Sequence, residues 1–376
     1  MKNHYRYIWS EYRSLINVES HIRQYIEQRH IFGSGHSYSF IYAKDGFAEE
    51  LHRDVDNAVW VKLGKQLLRR KFVEELIAEG HVLTREFASF VKILHESDLG
   101  SCSDSELKKL FVASCKYHSK FRGYFKISRE EFMATAENEL KRLLAEKFTK
   151  YENRESIFEV LTSPAQMDDV NLELLDRVTL VHNYSPSRLD DELLLKHALK
   201  HPWLIAHSHN LSSILSHLKS GFQKDFANKK ELNQKVGELK LQKKRLGTLQ
   251  RKYLKIAKSK KINYLSWLFQ AMSIERMRLK GSWAGSDFIY LPLYKEISRR
   301  TSVSLRDLFS VYRIGEVVKA INDKKGILSP IEKIHRKSYY VLWLKNKKLY
   351  FYSGKKASTI INERVAISES KQEVKG

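Results

Sequence analysis

The sequence predicts a mainly α fold, a multi-helix bundle with a long basic helical arm and a small C-terminal β-hairpin. Apolar residues recur at helical spacing along most of the chain, and capping residues with Gly or SerPro breaks mark the ends of these runs. One stretch alone, near the C-terminus, reads as two β-prone runs around a turn. At 376 residues the chain is long enough for two medium domains. The expected division is a mostly helical region over 1–155 and a central helical domain over 156–376.

In chain order, the paired glycines and aromatics of 32–47 predict a loop or small hairpin. Val59, Leu63, Leu67, Phe72, Leu76 and Ile77 predict a helix over 56–79, with Gly80 as its stop. A second run follows from Thr84 to His95, with Phe87, Val91 and Leu94 on one face. Ser103 with Glu106, and Ser128 with Glu131, have the spacing of capping boxes and predict helices over 104–120 and 129–151.

Ser163-Pro164 precedes a helix near 168–184. The next helix, after Ser185-Pro186, must stop before Pro202, because proline disfavours α geometry in its predecessor. From Leu232 the positions Val236, Leu239, Leu246, Leu249, Tyr253 and Ile256 keep helical steps and predict a long helix or helical hairpin arm over 219–261. A buried helix over 262–285, another at 287–300 and two more up to Lys337 follow. The last element is a hairpin over 338–354, turning at Asn346 and Lys347.

Charge is unevenly placed. The net charge is +23, and 219–261 holds fifteen Lys/Arg against three acids, so about half the excess lies in this one arm. Such a stripe suits phosphates, anionic lipid or acidic partners. Its three aromatics, Phe222, Phe226 and Tyr253, are few for base stacking. The cysteines Cys102 and Cys115 fit a reducing compartment. The N-terminus lacks a signal-peptide core, and no apolar run reaches the roughly 18 residues a membrane span needs. A cytoplasmic chain without a membrane span is expected.

The catalytic motifs are missing. Gly33-Ser34-Gly35 lacks the lysine of a phosphate-binding loop, and no nucleophile elbow, zinc-protease motif or kinase set occurs. No catalytic residue and no metal ligand is assigned. His197, His201, His207 and His209 crowd thirteen positions, but Pro202 breaks their register, so they are read as hydrogen-bonded structural histidines. The basic residues of the apolar helix 262–285 invite a closer reading. Arg276 and Lys280, with Arg313 and Arg336 from later helices, form either an ion-pair network with Glu275, Glu296 and Glu316 or a wall that binds an anion.

The order of segments resembles a known family. Leu161-Thr162-Ser163-Pro164 with its following acidic helix, the run Leu193–Leu204, the helix Ile262–Trp283, Pro292–Ser298, Asp307–Ile321 and His335–Ala357 together look like the connecting helical region of phosphoenolpyruvate-synthase-like enzymes, rifampicin phosphotransferase included. In that family an ATP-grasp domain binds nucleotide, a swivelling domain carries a phosphohistidine, and the helical region of the antibiotic kinases holds the acceptor. No ATP-grasp segment and no swivelling domain is recognised in this sequence.

The resemblance therefore implies a non-autonomous substrate-binding or scaffold part of an ATP-dependent phosphotransfer system. It would be truncated before a swivelling domain or completed by other chains. ATP and Mg are implied only for those partner domains, with a small molecule as acceptor and Arg276, Lys280, Arg313 and Arg336 as anion contacts. The alternative expectation is a basic nucleic-acid-binding protein that uses the 219–261 arm.

Overall fold

The computed structural model describes residues 5–28, 31, 38–151, 153–205 and 210–369. The fold is mainly α, and its two compact units are each assembled from separated stretches of chain. The first comprises Met1–Leu63, Leu83–Gly123 and Ile289–Gly376; the second comprises Gly64–Val82 and Tyr124–Phe288. Among the described residues, no helix is long and apolar enough to cross a membrane.

The first unit is built on an antiparallel sheet of order β1-β3-β2-β4-β5, with strands β1 (Tyr5–Tyr12), β2 (Tyr38–Lys44), β3 (Phe47–Arg53), β4 (Tyr339–Lys345) and β5 (Lys348–Ser353). The expected C-terminal hairpin is present as β4–β5, and it joins a second hairpin, β2–β3, through the pairing of β2 with β4. The central strand β2 is covered on both faces, as Phe40, Ile41, Tyr42 and Ala43 are all buried. One face packs Phe40, Tyr42, Leu51 and Val341 against Ala357 and Ile361 of the C-terminal helix. On the other lies helix α1 (Leu15–Glu27), which Ser14 caps by accepting from the Asn17 amide.

Both hairpins turn on two residues with positive φ, Asp45-Gly46 in the first and Asn346-Lys347 in the second. That geometry matches the right-handed twist of the strands. Lys347, at φ 64°, has a side chain where glycine is free of the Cβ penalty. Lys347→Gly should therefore raise stability by about 0.5 to 1 kcal/mol, read as a higher denaturant midpoint at unchanged slope.

Helices follow in order: α2 (Asp54–Gly64), α3 (Arg70–Glu96), α4 (Asp104–Ile127), α5 (Glu130–Lys147), α6 (Arg154–Thr162), α7 (Asp169–Asn183) and α8 (Asp191–Lys200). Next come α9 (Leu211–Ala227), α10 (Lys229–Ala257), α11 (Lys260–Ala284), α12 (Leu291–Thr301), α13 (Leu305–Val311), α14 (Ile314–Asp323), α15 (Pro330–Ser338) and α16 (Gly354–Glu369). In the second unit, α7 to α10 share one apolar core that includes Val181, Leu194, Leu218, Phe222 and Leu232. The expected arm over 219–261 is divided, since 219–227 finish α9, 260–261 open α11, and the long helix between them is α10. It starts after Asn228 and ends where Lys258 turns left-handed at φ 47°.

Two expectations about helix ends are corrected. Gly80 does not stop a helix, because α3 runs through it without interruption. The break falls earlier, at the 3₁₀ turn Lys65–Leu68 and extended Arg69. A Cβ on Gly80 would lie 3.1 Å from Arg278 Nη2, so the glycine makes room for a guanidinium. The capping box at Ser103 and Glu106 forms, but Ser128 does not cap α5. Arg129 occupies that position, and its guanidinium pairs with Glu131.

Candidate anion-binding site

Of the four cations singled out from the sequence, Arg276 and Lys280 lie one turn apart on α11 in the second unit, while Arg313 and Arg336 belong to the first. The latter two already have carboxylates. Arg313 donates to Glu19 at 3.2 and 3.3 Å, and Arg336 makes a two-pronged contact with Glu316 at 2.6 and 2.9 Å. Both guanidinium groups sit about one ring-width from Phe351, at 4.8 and 5.0 Å from its centroid. The other expected carboxylates are also engaged, Glu296 by Arg299 and Arg300, and Glu275 by Arg278 and His81.

Arg276 differs. Among the described residues no carboxylate lies within ion-pair distance of it, and its one hydrogen bond is from Nη1 to the Ser128 carbonyl at 3.2 Å. The guanidinium stacks on Phe125, 4.8 Å from the ring centroid. Burial, and then the neighbouring charge of Arg129, work against its charged form, while the charges of Glu130 and Glu131 favour it. Arginine does not give up its proton in a protein, so the cost stays as a half-buried charge with no carboxylate in direct contact. A bound anion would relieve it.

The side chain lines a narrow recess whose walls are Leu76, Ile77, Met272 and Leu279, with Tyr124 and Ser128 also lining it. Tyr124 donates to Glu79 at 2.7 Å. Glu275, also on the wall, receives His81 Nε2 at 3.0 Å and Arg278 Nε at 3.0 Å, so its charge is balanced within the protein. Arg278 in turn reaches the Gly80 carbonyl at 3.3 Å. The result is a small apolar recess with one cation left over. Lys280 is half-buried one turn further along the same face and has no carboxylate partner among the described residues.

The histidine run is structural where it is described. His197 and His201 are buried, their rings 5.0 Å apart, and each meets one carboxylate of α7: His197 Nε2 with Glu173 at 3.1 Å, His201 Nε2 with Asp176 at 2.6 Å. His207 and His209 lie outside the described residues. No group of three His, Cys, Asp or Glu among the described residues is arranged to hold a metal ion.

The first unit contains a polar cluster that the sequence reading missed. Glu50, fully buried on β3, accepts from Ser39 Oγ at 2.9 Å, Tyr25 OH at 3.1 Å, His21 Nε2 at 3.0 Å and the Trp9 indole. Arg122 Nε donates to the other ring nitrogen, His21 Nδ1, at 2.7 Å. With Nδ1 accepting, the ring is the neutral Nε2–H tautomer, and it bridges a buried anion and a buried cation. Its donors converge on the carboxylate as an internal brace.

No family model, curated protein or solved structure matches this chain.

Proposed function

We propose that the chain is the substrate-holding part of a phosphotransfer system of the phosphoenolpyruvate-synthase type, with Arg276 binding a small anionic acceptor. Nucleotide, Mg and the phosphohistidine carrier belong in this reading to other domains. Arg276 is the observation that carries it. A half-buried guanidinium with no carboxylate in direct contact, on the wall of a narrow apolar recess, offers a counter-charge to an anion. The ordered likeness of 155–365 to the helical region of that family supplies the reaction class.

The chemistry of the walls narrows the ligand. With one cation and four apolar side chains around a narrow recess, the site suits the single carboxylate of a compact organic acid. A larger or multiply charged ligand would leave charge uncompensated beside Glu275 and Glu79.

Arg276→Met, which keeps the side chain's length and apolar stem, is expected to weaken binding of such an anion by about 30- to 100-fold. The fold should stay intact, because no ion pair is lost. Calorimetric titration of a panel of small carboxylates and phosphate monoesters checks this. Equal affinity of the two proteins for every member that binds would place the site elsewhere, and no binding at all would remove the reading.

A further inference from the structure

The phosphotransfer reading leaves the basic arm unused. Helix α10 packs one side against α6 and α7, and also meets α9 and α11, burying Leu232, Val236, Gln250 and Ala257 and leaving its opposite side in solvent. Lys230, Lys240, Lys244, Arg245, Lys252 and Lys255 are exposed, and among the described residues none of them has a carboxylate partner. The helix's own acids are occupied, Glu231 by Lys235 and Glu238 by Gln234. The outer side is therefore a stripe of unbalanced positive charge about 40 Å long.

Three aliphatic side chains stand in the same stripe. Leu241, Leu249 and Ile256 are 47, 41 and 40% exposed. Their spacings of eight and seven residues put them on one flank of the helix, with most of the cations on the other. The arm's aromatics, by contrast, face inward. Phe222 is buried, Tyr253 packs on Phe148 at 6.0 Å, and Phe226 lies under Lys229.

These placements discriminate between polyanions. A single-stranded nucleic acid needs exposed aromatic platforms, and here they are turned away. A duplex offers phosphates to the lysines but nothing to three exposed aliphatic side chains. An anionic phospholipid surface rewards both, because cations near it contribute about 1 kcal/mol each and aliphatic side chains enter the headgroup boundary. A protein partner would need a larger apolar patch than three half-exposed side chains supply.

We infer that the outer face of α10 is a peripheral docking surface for an anionic phospholipid membrane, with the lysine flank on the headgroups and Leu241, Leu249 and Ile256 inserted between them. The helix lies along the surface and spans nothing.

Co-sedimentation of the full chain with vesicles tests this, using phosphatidylcholine alone and an equal mixture with phosphatidylglycerol, and a short DNA duplex as competitor. Binding is expected only to the anionic vesicles, and it should fall steeply with salt. Lys240→Glu, Lys244→Glu and Lys252→Glu together should weaken it about 100-fold. Leu241→Ser, Leu249→Ser and Ile256→Ser together should weaken it about tenfold without changing duplex binding. All six positions are exposed, so circular dichroism should be unchanged in both variants. The inference is overturned by failure to bind anionic vesicles, by a serine variant that binds them as well as the parent, or by a duplex that displaces the protein from the vesicles.

Discussion

Replacing Glu50 by alanine is expected to remove about 3 to 5 kcal/mol of stability, enough to unfold much of the first unit at ambient temperature. The carboxylate accepts from Trp9, His21, Tyr25 and Ser39. Its loss removes the acceptor shared by four donors, three of them buried, and the carboxylate that His21 links to Arg122. Each orphaned group alone costs about 1 to 3 kcal/mol. Glu50→Gln should cost less, because the amide oxygen still accepts while its NH₂ faces donors. The double variant Glu50→Ala with Arg122→Met measures the coupling of the two groups through His21. Guanidinium melts followed by fluorescence and circular dichroism measure all three. A loss below about 1 kcal/mol for Glu50→Ala would mean that water replaces the carboxylate and that the brace is not structural.

The sequence made the helices readable and the sheet only partly so. Periodic apolar positions and capping residues such as Ser103 and Ser329 act within one or two turns, so a local pattern carries them. Strand β3, FAEELHR, has the composition of a helix, and it is a strand because β1 and β2 pair with it on either side. Nor does anything local mark Glu50 for burial. Its partner His21 is 29 positions away, and Arg122 lies 101 positions beyond His21.

The candidate site was half visible. A basic residue on an apolar helix flagged Arg276, Arg313 and Arg336 alike. Which of them keeps an unanswered charge depends on acids elsewhere in the chain, such as Glu19, which meets Arg313 across 294 positions. Gly80 shows the same limit. Its local meaning is a helix stop, whereas its actual use is to admit Arg278, 198 positions on.

Acidification should weaken the first unit well before its carboxylates begin to titrate. Burial, then the Arg122 charge, holds His21 well below the ordinary histidine range, against the opposing pull of Glu50; Arg13 adds to the depression. Tyr25 and Trp9 complete the surroundings of the ring, and neither charges near neutrality. The folded ring is therefore neutral where an unfolded one takes up a proton. A histidine depressed in this way contributes stability above the unfolded pKa of about 6.5, and that contribution is lost as pH falls below it. The loss is about 1.4 kcal/mol for each pH unit while the folded ring stays neutral, so two units of acidification remove about 2 to 3 kcal/mol. Asp104 and Glu296, held low chiefly by hydrogen bonds from Arg300 and Arg299 respectively, add acid sensitivity only as pH falls through the carboxylate range. The window from pH 6.5 to 5 thus belongs to histidines, and in the first unit His95, also held down by burial, adds to it. His21→Gln keeps a donor to Glu50 and removes the titration, so its denaturant midpoint should depend on pH less steeply than the parent's in that window. Equal slopes in parent and variant would assign the acid sensitivity to the remaining histidines.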